Sequence, residues 1–224
     1  MLTFRLAGIN NQNFIMRDEE TGTFWQQVSG QAISGPLRGL SLEAVASEEV
    51  GFAVWKAEAP GGMVLAPDVL HAAKYAPADW EQRMARTPTV IGAPDGVLAP
   101  RELVVGLSAG GVDRAYPVRE VVARAPISDE VGGTPVLIVI GPDGRTIRAF
   151  DRRLGEGDQA LEISRDTSSA LVDAGTRSAW DFQGCATAGP LRGRCLTPID
   201  LLKDYWFDWE RYHPDTSVYG GEGR

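Results

Sequence analysis

The sequence predicts a β-rich α+β fold made of hairpins with one packed helix per unit, and an internal pseudo-two-fold repeat. Two observations carry this. Trp25 and Gly30 are followed by Gly35-Pro36-Leu37-Arg38-Gly39 and Leu42, and Trp180 and Gly184 by Gly189-Pro190-Leu191-Arg192-Gly193 and Leu196. The spacing of 154 positions that superposes these runs also puts Trp55 on Trp209, Pro60 on Pro214 and Val64 on Val218. Trp25/Trp180, Thr21/Thr176 and Asp18/Asp173 align after a shift of one residue. Such self-similarity marks a structural unit used twice, here over residues 14–65 and 169–219.

Each unit reads in the same order. A turn at Glu20-Thr21-Gly22, or at Ala174-Gly175, leads into a strand around Trp25 or Trp180. The Gly-Pro-Leu-Arg-Gly run is turn chemistry, because proline presets φ and the flanking glycines accept positive φ. A second strand is expected over Leu40–Val45 and Arg194–Ile199, followed by a helix. In the second unit, Thr197-Pro198-Ile199-Asp200 has the form of a capped helix start, with Leu201, Leu202, Tyr205, Trp206, Trp209 and Tyr212 at helical spacing. His213-Pro214-Asp215 ends that helix, as Ala59-Pro60-Gly61-Gly62 ends the first. Short strands at Met63–Leu65 and Ser217–Tyr219 close the units.

Between the units, residues 66–99 are rich in Ala and Pro and read as a surface arm with one short helix at Pro77–Ala85. Strands follow at Glu102–Leu107, Val112–Tyr116, Pro135–Ile140 and Thr146–Phe150, with a helix at Val118–Ala125. Gly141-Pro142-Asp143-Gly144 is a hairpin signal. The expected division is therefore 1–65 as a first, incomplete unit, 66–99 as the arm, and 100–220 as a complete second repeat. The second repeat combines the strands of 101–150 with unit 169–219, and the whole forms one compact domain.

The bulk numbers exclude several classes. The chain has 224 residues, 43% hydrophobic and 23% charged, enough for a real core. A net charge of −8 without a dense basic run argues against nucleic acid and against anionic membrane surfaces. No stretch approaches the length of a membrane span. Met1 to Ile15 lacks a signal-peptide pattern, so the chain as written is expected in the cytoplasm. Two cysteines make neither a disulfide scaffold nor a four-ligand zinc site, and no cofactor is implied.

The ordered set Asp18, Thr21, Trp25, Gly30, Gly35-Pro36-Leu37, Gly39, Trp55 and Pro60 resembles the bacterial and archaeal domain-of-unknown-function family 3179. Arg114-Ala115-Tyr116-Pro117, Val131-Gly132-Gly133, Pro135-Val136 and Phe150-Asp151-Arg152 extend the resemblance over nearly the whole chain. The resemblance implies a two-fold pattern. Each half runs from an Arg-Ala-Tyr-Pro strand through a Val-Gly-Gly-x-Pro-Val strand to the Trp/Gly-Pro-Leu unit. It also implies a Cys-Pro-x-Cys segment and a nearby Trp-His in the first half, residue types suited to thiol redox work or metal ligation. This sequence departs there, with Gly141-Pro142-Asp143-Gly144 and Ala123-Arg124 at the corresponding places. On the resemblance, residues 1–65 are the end of a first half whose beginning is absent, and Met1-Leu2-Thr3-Phe4 is the strand that follows the cysteine segment. The family site then carries over to no residue here, and an extracytoplasmic location becomes open. An unpaired sheet edge would favour a homodimer or a partner chain that supplies the missing half-repeat.

Few residues offer chemistry. Cys185 and Cys195 lie symmetrically about Pro190, so a hairpin would bring them face to face; a disulfide, a redox switch and simple packing all fit. His71 and His213 are the only histidines; His71 is expected exposed in the arm, and His213 at a helix end, where a cation suits the dipole. Asp18-Glu19-Glu20, Glu48-Glu49, Asp129-Glu130 and Asp204/Asp208 read as solvated acidic faces. Gly106-Leu107-Ser108-Ala109-Gly110 spells the hydrolase G-x-S-x-G with Ser108 as nucleophile, but a hairpin rather than a helix should follow it. Gly132-Gly133 and Gly220-Gly221 lack the context of a phosphate loop. The paired tryptophans suit core packing better than a carbohydrate surface. The expected role is non-catalytic binding or structure; the alternative is a fragment or subunit of a thiol-redox or metal-handling protein whose cysteine site precedes residue 1.

Overall fold

The computed structural model describes residues 1–10, 13–43, 45, 47–89 and 97–221. β1 (Phe4–Asn10) and β2 (Asn13–Asp18) form an antiparallel hairpin, and β3 (Phe24–Gln26) and β4 (Ala32–Ser34) extend it in chain order. α1 (Phe52–Glu58) follows, then a 3-10 turn at Val69–Lys74 and α2 (Trp80–Arg86). β5 (Leu103–Ala109) and β6 (Val112–Pro117) make a hairpin, and α3 (Val118–Arg124) leads to the meander β7 (Ile127–Val131), β8 (Thr134–Ile140) and β9 (Ile147–Asp151).

A second sheet in chain order comprises β10 (Ile163–Arg165), β11 (Leu171–Asp173), β12 (Ala179–Trp180) and β13 (Ala186–Ala188). The chain then returns to the central strands. β14 (Thr197–Ile199) pairs with β9, β15 (Leu202–Tyr205) pairs antiparallel with β5, and α4 (Trp206–Tyr212) follows. β16 (Ser217–Val218) closes the sheet in parallel beside β6. The described residues are thus β-rich, with four small sheets and few helices, as the composition of short runs and turns predicts.

Period-two alternation sorts the strands' side chains into different cores. Val136 and Ile138 of β8 join Val105, Leu107, Tyr116, Val121 and Ile127 in one cluster. Leu137 and Val139 point the other way, to Phe150, Leu171, Trp180, Ala186 and Leu196. Val104 of β5 faces Leu98, Ala115, Trp206 and Trp209. With both faces covered, β8 reads as an unbroken apolar run rather than an alternating one. Each such buried Val, Leu or Ile contributes roughly 1.5–3 kcal/mol.

The structure changes several readings. The helix expected from Thr197 begins only at Trp206; Thr197–Ile199 and Leu202–Tyr205 are strands. Leu201, Leu202 and Tyr205 have helical spacing, but a short apolar run is ambiguous, and ladders to β9 and β5 decide it. Of Leu40–Val45, only Ser41 pairs, in an isolated bridge to Gln31; Ala44 lies outside the described residues. Met63–Leu65 forms no strand and is exposed. In the arm, the helix runs Trp80–Arg86, and residues 90–96 lie outside the described residues. The strand expected at Met1–Phe4 begins only at Phe4 and runs to Asn10, and β2, β7, β10 and β11 had no sequence expectation.

Trp209 packs on Gly106, where a Cβ would come within 2.3 Å of the indole Cζ3. Gly106→Ala is therefore expected to destabilise the fold by roughly 1–3 kcal/mol through overpacking. Chemical denaturation followed by tryptophan fluorescence checks this, and an unchanged midpoint would contradict the packing.

Candidate functional site

The strand tryptophans Trp25 and Trp180 sit in like polar clamps. The Trp25 indole N–H donates to Asp18 Oδ2 at 2.8 Å, and that of Trp180 to Asp173 Oδ2 at 3.2 Å. Each aspartate also accepts from a threonine amide and hydroxyl, those of Thr21 and Thr176. Asp18 and Asp173 are fully buried. This corrects the solvated reading of Asp18, since a buried carboxylate persists only when its lone pairs are filled. Burial works to raise the Asp18 carboxyl, but donation from Trp25, Thr21 and Gly22 outweighs it and lowers it to about 2. Asp173 is lowered likewise, its bonds to Thr176, Trp180 and Ser178 outweighing burial.

The Gly-Pro turns also coincide. Gly35 and Gly189 have φ of +112° and +88°, and a Cβ would approach Thr23 Cα or Ser178 Cα within 2.7 and 2.6 Å. Gly39 and Gly193 donate to the carbonyls of Ala32 and Ala186. Leu42 and Leu196 each donate at 2.9 Å to Gly30 and Gly184. Beyond the turn, Gln31 bridges Ser41 and Cys185 bridges Cys195. Cys185 and Cys195 lie across Pro190 with sulfurs 2.07 Å apart.

A polar seam joins residues 13–58 to the C-terminal half of the chain. Arg148, 7% exposed, holds Glu48 and Glu58 through two hydrogen bonds each, and its guanidinium stacks on Phe182. Lys203 pairs with Glu49 at 2.7 Å. Glu48 and Glu49 stay largely exposed yet are tied down, so their face is not merely solvated. On the other side, Gln26 donates to the Tyr212 hydroxyl and Asn13 to Asp208. Asp208 is buried and Asp204 partly so, which corrects their reading as a solvated pair. Burial, then the neighbouring Asp208 charge, raises Asp204 to about 7; burial also raises Asp208. Asp129 too is engaged rather than free: Arg114 donates to both its oxygens at 2.9 and 2.8 Å, and the Tyr116 hydroxyl donates at 2.7 Å.

The catalytic candidates do not assemble into the expected arrangements. Ser108 lies in β5, across the hairpin from Asp113, and donates to its carboxylate. The other Asp113 oxygen pairs with His213 Nδ1 at 3.1 Å. The carboxylate therefore stands between hydroxyl and imidazole, the wrong order for a Ser-His-Asp relay, and a glycine turn into β6 replaces the required helix. His213 stacks on Trp209 besides lying at the helix end. His71 is exposed in the arm and meets Asp68 at 2.9 Å. Gly132-Gly133 is the β7–β8 hairpin turn, packed against Gly110, and Gly220 follows β16 in a turn. Among the described residues, no cluster of three or more His, Cys, Asp and Glu could hold a metal, and no helix is long and apolar enough to cross a membrane.

The helices diverge. α4 buries Trp206, Phe207 and Trp209. α1 buries Val54 alone; Phe52 is 64% exposed, and Met63 and Leu65 beyond it are 94% and 95% exposed. An open groove runs between Val50, Phe52, Trp55, Met63, Val64 and Leu65, with Glu48 and Glu49 also on its wall. It had no sequence signal, because helix α1 reads as a counterpart of the buried α4.

These features define a β-rich α+β protein with an open groove beside α1. The chain matches the family described as "Protein of unknown function (DUF3179)" over residues 2–216, and it belongs to that family. No curated protein and no solved structure is significantly similar to it.

Asp204 gives the site a pH signature. A folded-state carboxyl raised from 3.8 to about 7 contributes stability that is complete below about pH 4 and lost as pH rises through 7. Asp18 and Asp173 act oppositely: both are lowered, so their contribution is present above the ordinary carboxylate range and is lost on acidification, for Asp18 as pH falls through about 2. Asp204→Asn should therefore remove much of the decline between pH 4 and 7, gaining on the order of 2 kcal/mol at the upper end after allowing for solvent screening. Parallel denaturation curves at the two pH values measure this; equal slopes for variant and wild type would contradict it.

Proposed function

We propose that the chain is a non-catalytic binding module built from two copies of one unit, whose first copy keeps an uncovered docking face for another polypeptide. The observation that carries this is the groove beside α1, with apolar side chains at 52, 63 and 65 all more than half exposed. Exposed apolar patches of this kind mark interaction surfaces.

Several geometric facts support the duplication. The Asp–Trp bond, the Gly-Pro turn and the bridge past it recur with the same partners 154 or 155 positions apart. α1 and α4 have the same length, and in both the capping residue donates to the tryptophan carbonyl, that of Trp55 or Trp209. Glu49 and Lys203, equivalent positions, pair with one another. Gln26 of the first unit meets Tyr212 at the end of α4, and Gln183 of the second meets Glu58 at the end of α1. The Glu49–Lys203 pair fits an approximate two-fold, and the ends of both helices are met from the opposite half, though by Gln26 and Gln183, which are not at equivalent positions. In this reading residues 1–65 are the first unit, 66–99 an arm, and 100–220 the second unit with its own sheets.

If the bridges are equivalent, Gln31→Cys with Ser41→Cys should crosslink as Cys185 and Cys195 do. Mass spectrometry should find two hydrogens lost, with a stability gain of roughly 2–3 kcal/mol; persistent free thiols under oxidising conditions would speak against equivalence. The docking face is tested with an environment-sensitive apolar dye excited through Trp55. One-to-one binding is expected, weakened about tenfold by Phe52→Asp with Leu65→Asp at nearly unchanged stability. Dye binding indifferent to both substitutions would remove the docking face.

A further inference from the structure

We infer that the groove beside α1 receives an antiparallel β-hairpin of another polypeptide, one that presents a glycine to Trp55 and lays its second strand alongside residues 63–64. This rests on the two-copy reading and names the partner that the docking face fits.

The argument is positional. Each residue lining the groove has a counterpart 154 positions later that touches β5 or β6. Val50 corresponds to Asp204, which pairs with Val104. Phe52, Trp55 and Val64 correspond to Trp206, Trp209 and Val218, which pack with Val104 and Ala115. Met63 corresponds to Ser217, paired with Arg114. Leu65 corresponds to Tyr219, whose amide donates to the Ala115 carbonyl at 2.9 Å and whose ring stacks on Tyr116. The groove is thus the imprint of a hairpin that the second unit supplies to itself.

The ladders agree. β15 and β16 exist because β5 and β6 stand beside them, and the equivalent residues 48–51 and 63–64 form no strand. The occupant's chemistry follows. Trp209 lies on Gly106 because a Cβ there would reach within 2.3 Å of its ring, so a strand crossing Trp55 needs a residue without a side chain at that point. The following strand must present apolar side chains toward Val64 and Leu65, as Ala115 and Tyr116 do toward Val218 and Tyr219. Addition of strands to an uncovered edge is a general mode of polypeptide recognition. An intact second copy cannot supply this hairpin, because its β5 and β6 are already covered by its own α4, β15 and β16.

The test uses the whole 224-residue chain and a synthetic, cyclised peptide with the sequence of residues 103–117. Saturable one-to-one binding is expected, with a blue shift of tryptophan emission and hydrogen-exchange protection over 48–51 and 63–65. Trp55→Ala in the chain, or Gly106→Leu in the peptide, should weaken it at least about tenfold; the second change leaves the chain untouched, so a folding defect cannot imitate it. If the dye binds the groove but the peptide neither binds nor displaces it, the hairpin is wrong and the docking face stands. If neither binds, both are wrong. Peptide binding indifferent to Gly106→Leu, or a dimer in light scattering that Leu65→Asp dissociates, overturns the hairpin as occupant.

Discussion

Trp209 lies flat against β5 because Gly106 leaves bare backbone beneath it, and the arrangement of the C-terminal half follows from that contact. It fixes the depth at which α4 sits, and so the approach of Val218 to Ala115 and of β16 to β6. The strand before the helix is drawn in with it: Leu202 stands opposite Gly106 in the β15–β5 ladder. A side chain at 106 would lift the indole, and helix and both flanking strands would have to shift together, because close-packed interiors transmit displacement rather than absorb it.

Polar groups organise what the indoles do not. A carboxylate is costly to bury, yet Asp18 and Asp173 are the pivots of their turns. Each gathers donors from three residues in one tight segment, and charge-assisted bonds of this kind outweigh the desolvation. Asp204 shows the opposite balance. It has an acidic neighbour and few donors, so burial wins and the proton is held. Arg148 resolves a third situation: nearly buried, it is bracketed by two glutamates and an aromatic face, and thereby ties residues 48–58 to β9.

The central strands were readable because their apolar runs lie between strong turns such as Gly110-Gly111 and Gly141-Pro142-Asp143-Gly144. The alignment of Asp18 with Asp173 stood in the sequence, but not the bond each accepts from Trp25 or Trp180. The stretch Leu201–Tyr205 was misread, because its local spacing is helical while its ladder partner lies about a hundred residues earlier, beyond any local pattern. The same limit hid the Arg148 cluster and the Arg114–Asp129–Tyr116 bonds, whose members are charged residues of ordinary appearance. Beyond Phe4, the hairpin β1–β2 went unseen since three asparagines at 10, 11 and 13 look like loop residues.

The contrast between the helices completes the reasoning. α1 and α4 share length, capping geometry and the central tryptophan, although Ala53 and Glu58 stand where α4 has Phe207 and Tyr212. What also differs is the neighbour: α4 packs on β5, whereas α1 is tied by polar bonds to β9 and the turn before it, through Arg148 and Thr146. A helix of seven residues has little stability of its own and depends on tertiary contact. α1 obtains some through Val54 and through the links of Glu48 and Glu58 to Arg148, which grip one side and leave Phe52 outward. The apolar residues at 63–65 gain nothing from that grip. Among the described residues no strand runs beside them, so their side chains stay exposed where those of β16 are half-buried beside β6.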